Sequence, residues 1–384
     1  MVKAADRLQE VGEYYFSRKL EEIALLNQSG ERVISLGIGS PDLSPSEQTV
    51  DSCVKGLSQP GAHGYSSYRS SLELRRAFAE FYDRHYDVRV RPESEVLPLL
   101  GSKEGIFYTT LAFTNPGDQV LVPNPGYLAY SSAAKLAGAE VLHYDLKAES
   151  GWYPDFEALQ SKMSKRVKLM WINYPHMPTG APASEGLLRE CLEFAVKNDI
   201  LLCHDNPYSM VLNRTKPLSL LRFDSGFKHS LELNSLSKSF NMAGWRVGAV
   251  LSSAEVINQI VKVKSNIDSG MFLPIQQAAV SALANSSVWH EQRNAIYRQR
   301  KAKVLELLSE LGCVVQSDQV GLFVWAKCPA QESQKFVDST LNKYRILLTP
   351  GVIFGSQGEG YVRASLCASV ETIELATQRV RGRG

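Results

Sequence analysis

Between residues 96 and 251 the chain alternates short, wholly apolar segments with longer stretches whose apolar residues recur at helical spacing. The segments at 96–100, 119–122, 140–142, 167–172, 200–203, 231–236 and 247–251 read as strands. Helical patterns lie between many of them, clearest at 103–113, 130–137 and 184–197. Strands that are apolar throughout, rather than on alternate residues, predict a mostly parallel sheet covered by helices on both faces. Right-handed crossovers then place the loops that follow the strands along one edge, where ligands bind. Upstream, residues 8–28 read as a helix ending at Gly30, and 49–57 and 71–85 as two more, separated by the polar run GAHGYSSYRS. Beyond residue 275 the pattern changes: helices at 276–283 and 289–311, strands at 321–326 and 361–365, then a last helix from Val370. The fold class is α/β, with a large domain over 36–275, a smaller α+β domain over 276–384, and an N-terminal helix and arm (1–35) packing with the small domain.

Composition narrows the function without choosing it. A chain of 384 residues suits two domains. With 21% charged residues and a net charge of +2, it has no concentrated basic face for nucleic acid, and the terminal RVRGRG reads as a frayed tail. No apolar run is long enough for a bilayer, and MVKAADRLQEVGEYYF lacks the apolar core of a signal peptide. Six cysteines are scattered with no C-x-x-C pair, and seven histidines never join them at ligand spacing. Buried thiols, no metal site and a reducing, cytoplasmic compartment are the expectations.

Candidate chemistry concentrates in SLSKSFNMAGWRVG, residues 235–248. Lys238 stands at the end of an apolar strand, where partial desolvation near other cations makes a lysine a nucleophile toward an aldehyde. Ser235 and Ser237 can hydrogen-bond phosphate oxygens, and Arg246 can pair with them bidentately. A solvated Ser/Lys turn is the plain alternative. GSKEG follows a strand and opens a helix at Ser102 and Lys103, so its free backbone N–H groups suit a phosphate, unless the serine is only a cap. In HDNPY, Asp205 can hold a proton on a pyridine nitrogen and Tyr208 can bond a phenolic oxygen; Asp205 can equally cap the turn before Pro207. His204 suits packing or local hydrogen bonding. Tyr127 can lie over a planar ring, though it or Tyr130 can as well be core. Arg363, inside the strand-like YVRAS, needs an anion or solvent, and an α-carboxylate is its most specific bidentate partner.

Taken in this order, these motifs resemble the class I/II aminotransferases of the fold-type I pyridoxal-phosphate enzymes, most similar to the LL-diaminopimelate, aspartate and alanine aminotransferases. The resemblance covers roughly residues 30 to 375. It implies an enzyme that binds pyridoxal 5'-phosphate and moves an amino group between an L-amino acid and a 2-oxo acid by a ping-pong mechanism. It further implies that Lys238 is the Schiff-base lysine, that Asp205 pairs with the pyridine nitrogen and Tyr208 with its O3', and that Tyr127 stacks on the ring. Ser102, Lys103, Ser235, Ser237 and Arg246 would surround the phosphate, Arg363 would bind the substrate carboxylate, and Gly39, in LGIGSPD, would offer a backbone contact to substrate. Tyr65 resembles the tyrosine that family dimers send to the partner's phosphate, which implies a homodimer with shared sites.

One position departs from the family. Where its members read NYPNNPTG, this chain reads NYPHMPTG over 173–180, placing Met177 where an asparagine donates to the cofactor's O3'. A hydrogen bond to a charged oxygen is worth roughly 1.5–3 kcal/mol, so its loss should raise the pKa of the internal imine unless His176 or water replaces it. A Met177→Asn variant, titrated by cofactor absorbance, reads that difference directly. Two rival functions fit the same residues: a lyase on this scaffold (β-eliminating, or a cyclopropane-forming synthase), and a non-catalytic cofactor-binding regulator or scaffold. Substrate identity is not legible, although Tyr14, Tyr15, Phe16 and the 61–70 loop are candidates for the side-chain pocket.

Overall fold

A computed structural model describes residues 2–9, 11–12, 15–28, 30, 32–316 and 318–382; Tyr14 lies outside them. All seven apolar segments become strands of one sheet: β1 (Val96–Leu99), β2 (Gln119–Asn124), β3 (Glu140–Asp145), β4 (Val167–Ile172), β5 (Leu201–Asp205), β6 (Ser230–Ser235) and β7 (Gly248–Leu251). Their order is β1-β7-β6-β5-β4-β2-β3. Every pairing is parallel except those of β7, which runs against both β1 and β6. Burial on both faces accounts for the unbroken apolar runs. In β4, Leu169 and Trp171 enter one core and Met170 and Ile172 another, and β2 divides the same way between Val120 and Leu121. Edge strand β3 is the exception, with Glu140 and His143 exposed.

Three helices bear on the site: α1 (Tyr15–Gln28), α2 (Ser102–Phe113) and α3 (Ser287–Glu310). The first starts later than its apolar pattern suggested, because residues 6–8 form a separate 3-10 turn. Several helices here begin at a serine whose hydroxyl accepts a backbone N–H, as Ser46, Ser71, Ser184 and Ser286 do. Helix α2 instead begins after Gly101, which has no capping side chain and sits at φ 94°. A Cβ there would lie 2.2 Å from Arg246 Nη2, so only glycine lets that guanidinium approach.

The C-terminal part carries a four-stranded antiparallel sheet in which β8 (Phe323–Lys327) pairs with β9 (Tyr361–Ser365), setting Arg363 opposite Trp325. The N-terminal segment packs on this part: Ile34–Ser35 pairs in parallel with Ile346–Leu347, and Lys19 of α1 meets Asp338 at 3.2 Å. One core joins the two parts, running from Met170 and Leu202 of the large sheet to Val324 and Ala364 of the small one. Among the described residues no helix is long and apolar enough to cross a membrane.

Candidate active site

A cavity of about 280 Å³ opens where the C-terminal ends of the parallel strands meet the small sheet. Each strand end sends in what its following loop carries. Ser102 and Lys103 follow β1, Tyr127 follows β2, and Asn173 and Met177 follow β4. Asp205 ends β5 with Tyr208 three residues on, and Ser235, Ser237 and Lys238 close β6. Arg246 enters from the residues before β7, Gly39 from the N-terminal segment and Arg363 from β9. Twelve of the thirteen positions singled out in the sequence thus line one space. Tyr65 does not: it is 94% exposed on the surface.

Lys238 sits in a one-turn helix, Leu236–Ser239, and its Nζ hydrogen-bonds the carbonyl of Gly39. Burial lowers its pKa to about 8, and repulsion from Arg363 and Arg246 acts in the same direction, partly opposed by Cys367. The lysine is therefore a base able to exchange a proton near neutral pH.

Asp205 is buried, with Oδ2 accepting the Tyr130 hydroxyl at 2.9 Å while Oδ1 has no hydrogen-bond partner. Burial raises its pKa to about 6, against the lowering effect of that hydrogen bond. Tyr130 itself is fixed by stacking on Trp171, with centroids 5.1 Å apart and planes 5° from parallel. His204, beside it, turns away to Glu232 at 2.8 Å, a local hydrogen-bonding role.

At the other end of the cavity the groups are cationic or hydroxyl-bearing. Arg246 Nη1 reaches Ser237 Oγ at 3.3 Å and the carbonyl of Ala243 at 2.9 Å. Ser235 Oγ accepts the N–H of Ser237 at 3.2 Å. Lys103, near Arg246, has its pKa lowered first by desolvation of its ammonium group and then by that guanidinium. These cations, with the uncapped start of α2, converge on a space suited to a dianion.

Arg363 marks the opposite end. Its guanidinium lies 4.0 Å from the Phe323 ring centroid, 4.8 Å from Phe354 and 5.5 Å from Phe16. Nη2 donates to the Gly37 carbonyl at 2.8 Å, and Nη1 meets the Met177 sulfur at 3.2 Å. Met177 therefore faces the cavity as a thioether. His176 does not line the cavity; its Nδ1 is paired with Thr179 Oγ1 at 2.8 Å, and burial lowers its pKa to about 3. Asn173 lines the cavity, but its amide is committed, donating to the Asp205 carbonyl at 2.6 Å and accepting the Met177 N–H at 2.8 Å.

Sequence reasoning missed Tyr130 as the partner of Asp205, and missed Phe323 and Phe354 altogether. A tyrosine one helical turn from another was the only trace of the first; the two phenylalanines sit in stretches with no motif. The loop bearing Gly39 is tied down by Asp42, which pairs bidentately with Arg300 of α3 at 2.6 and 2.8 Å.

The chain is similar to known proteins over nearly its whole length. The family described as aminotransferase class I and II matches residues 31–380. An LL-diaminopimelate aminotransferase of Dehalococcoides mccartyi is 38% identical over 375 residues, covering 97% of each chain. Among solved structures, substrate-bound BacF from Bacillus subtilis superposes with a TM-score of 0.95 at 32% identity, over 100% of this chain and 98% of that one. The aspartate aminotransferase of Thermus thermophilus with maleate gives 0.92 at 28% identity, over 99% of both.

Proposed function

This chain belongs to the class I and II aminotransferase family and is a pyridoxal-phosphate-dependent aminotransferase, and from that premise we propose that the cavity around Lys238 is its active site. The observation that carries the proposal is the convergence of Lys238, Asp205 and Arg363 on one cavity from segments far apart in sequence. The residues fit the cofactor. Asp205 Oδ1 is a buried acceptor without a donor, which a protonated ring nitrogen supplies. Ser102, Lys103, Ser235, Ser237 and Arg246 would hold the phosphate, Tyr127 would lie on the ring, and Tyr208 would bond its phenolic oxygen.

Bound there, pyridoxal phosphate supplies an aldehyde that bonds the amino nitrogen and a ring that takes up the electron pair of the breaking Cα–H bond. The protein's part is to orient and to move a proton. Arg363 would fix the substrate α-carboxylate bidentately, which sets the Cα–H bond toward Lys238. Lys238 Nζ, with its pKa near 8, would take that proton and hand it on within the same site. Asp205 would keep the ring nitrogen protonated throughout. The hydrogen bond from Lys238 to the Gly39 carbonyl gives the amine a resting place on the substrate side. Met177, with no N–H or O–H in its side chain, would offer the cofactor no hydrogen-bond donor at that position.

The half-reaction tests this. Mixing the holoenzyme with an accepted L-amino acid should convert bound cofactor to pyridoxamine phosphate and release one equivalent of 2-oxo acid. Lys238→Ala should slow that conversion by about 10⁴-fold while pyridoxal phosphate still binds through its phosphate. Turnover retained in the variant would remove Lys238 from the role.

We also propose a homodimer. Tyr65 and Tyr68 are exposed, the backbone at 66–67 lies against Gly270, and Phe272 and Ile267 are exposed on the same side. An apolar surface of this kind marks an interface, and Tyr65 would cross it to the partner's phosphate.

A further inference from the structure

We infer that the amino acid this site prefers carries a large apolar side chain, aromatic above all, and not a second charged head. The inference rests on the aminotransferase reading of the cavity and concerns the part of it that reading leaves unassigned.

Among the described residues five charged side chains line the cavity: Lys103, Asp205, Lys238, Arg246 and Arg363. Each already has its work. Lys103 and Arg246 lie close enough to depress the lysine's pKa, at the phosphate end. Asp205 is joined to Tyr130 and Lys238 to Gly39. Arg363 is held by the Gly37 carbonyl and reserved for the α-carboxylate. No charged group of the described lining remains for a substrate's far end.

What surrounds Arg363 is ring surface. Phe323, Phe354 and Phe16 pack about its guanidinium, and Ile38 adds an aliphatic wall. These rings are held in place. Phe323 meets Tyr208 edge to face at 5.8 Å, and Phe354 meets Trp325 at 6.2 Å. Gly39 admits the Phe323 ring directly above it, since a Cβ there would lie 2.3 Å from Cζ. Aromatic side chains gain most from such walls, by area and by edge-to-face contact.

Diaminopimelate has an ammonium and a carboxylate at each end. Seating one end on Arg363 and Lys238 would desolvate the other against rings, and a buried charge without a partner is strongly disfavoured. The proposed dimer does not remedy this through the segment that would cross, because residues 61–70 include Arg69 and His63 but no carboxylate for a distal ammonium. Arg69 is in addition bonded to Asn258. The site thus differs in kind from what the name of its 38%-identical relatives suggests.

The test is a single-turnover comparison on the holoenzyme, following bound-cofactor absorbance with L-phenylalanine, L-leucine, L-lysine and LL-diaminopimelate. The expected result is a second-order rate constant for phenylalanine at least about 100-fold above that for LL-diaminopimelate, with leucine between. Equal rates, or a preference for diaminopimelate or lysine, overturn the inference and leave the aminotransferase reading standing. Reaction with none of the four also overturns the inference, and the half-reaction with the remaining L-amino acids then tests the aminotransferase reading separately. Binding of unreactive analogues separates recognition from chemistry: calorimetry should show 3-phenylpropionate bound at least tenfold more tightly than pimelate, and the reverse order contradicts the proposal. Phe16→Ala should narrow the phenylalanine-to-diaminopimelate ratio by about tenfold; an unchanged ratio would contradict the placing of the side chain against α1.

Discussion

A carboxylate buried with one oxygen unpartnered weakens the fold whenever it ionises, and Asp205 is such a group. Its pKa lies near 6 in the protein against an ordinary 3.8, chiefly through burial. As pH rises between those values the unfolded chain loses the proton first, so stability falls; above about pH 6 the full cost, about 3 kcal/mol, is in place. The apoprotein of Asp205→Asn should therefore gain on the natural apoprotein as pH rises, by about 2 kcal/mol more at pH 8 than at pH 4.5 in urea unfolding. A difference that stays flat with pH would mean that the carboxylate is not strained. Adding pyridoxal phosphate should remove most of the gain, since a ring N–H then meets the orphan oxygen. At this scale the sequence was informative where chemistry is unusual for its setting: a lysine and an aspartate at apolar strand ends, an arginine inside a strand. It was silent on Tyr130, whose hydroxyl matters only because the fold brings it to Asp205.

The strands were the legible elements. Each lies between two layers, so each reads as an unbroken apolar run, and the predicted and observed spans agree to within three residues at either end. Only β3, on the sheet's edge with solvent on its outer residues, weakens the signal. Helices Ala254–Lys264 and Ser333–Tyr344 were not anticipated. Both present one buried face and one exposed, with Lys262, Lys335 and Lys343 on the exposed side, but the first ends in Lys264, a lysine buried against Asp268 that interrupts its apolar pattern. The reversed direction of β7 was equally hidden, because the turn that makes it antiparallel, after Lys238 and through Arg246 at φ 55°, has no proline or glycine pair to announce it.

At the scale of the molecule, the cavity is a meeting of more than eight segments, and those with family motifs were the ones that could be joined in advance. Phe16 of α1 was a candidate from the sequence and does line the cavity, whereas Phe323 and Phe354 come from β8 and the turn before β9, neither of which names its partner in sequence. That is why the cofactor's site was readable and the substrate's was not. The proposed dimer belongs here too: sedimentation equilibrium at micromolar concentration should give twice the chain mass, and Tyr65→Ala should weaken cofactor binding without changing that mass. A monomer with full cofactor affinity would rule out a shared site. The central claim, that the cofactor is held on Lys238, is open to one direct measurement. Borohydride reduction of the holoenzyme fixes the cofactor to the amine it is bonded to, and peptide mass spectrometry then locates it. The account predicts a phosphopyridoxyl group on the peptide containing Lys238 and on no other; the label on a different lysine, or none at all, would contradict it.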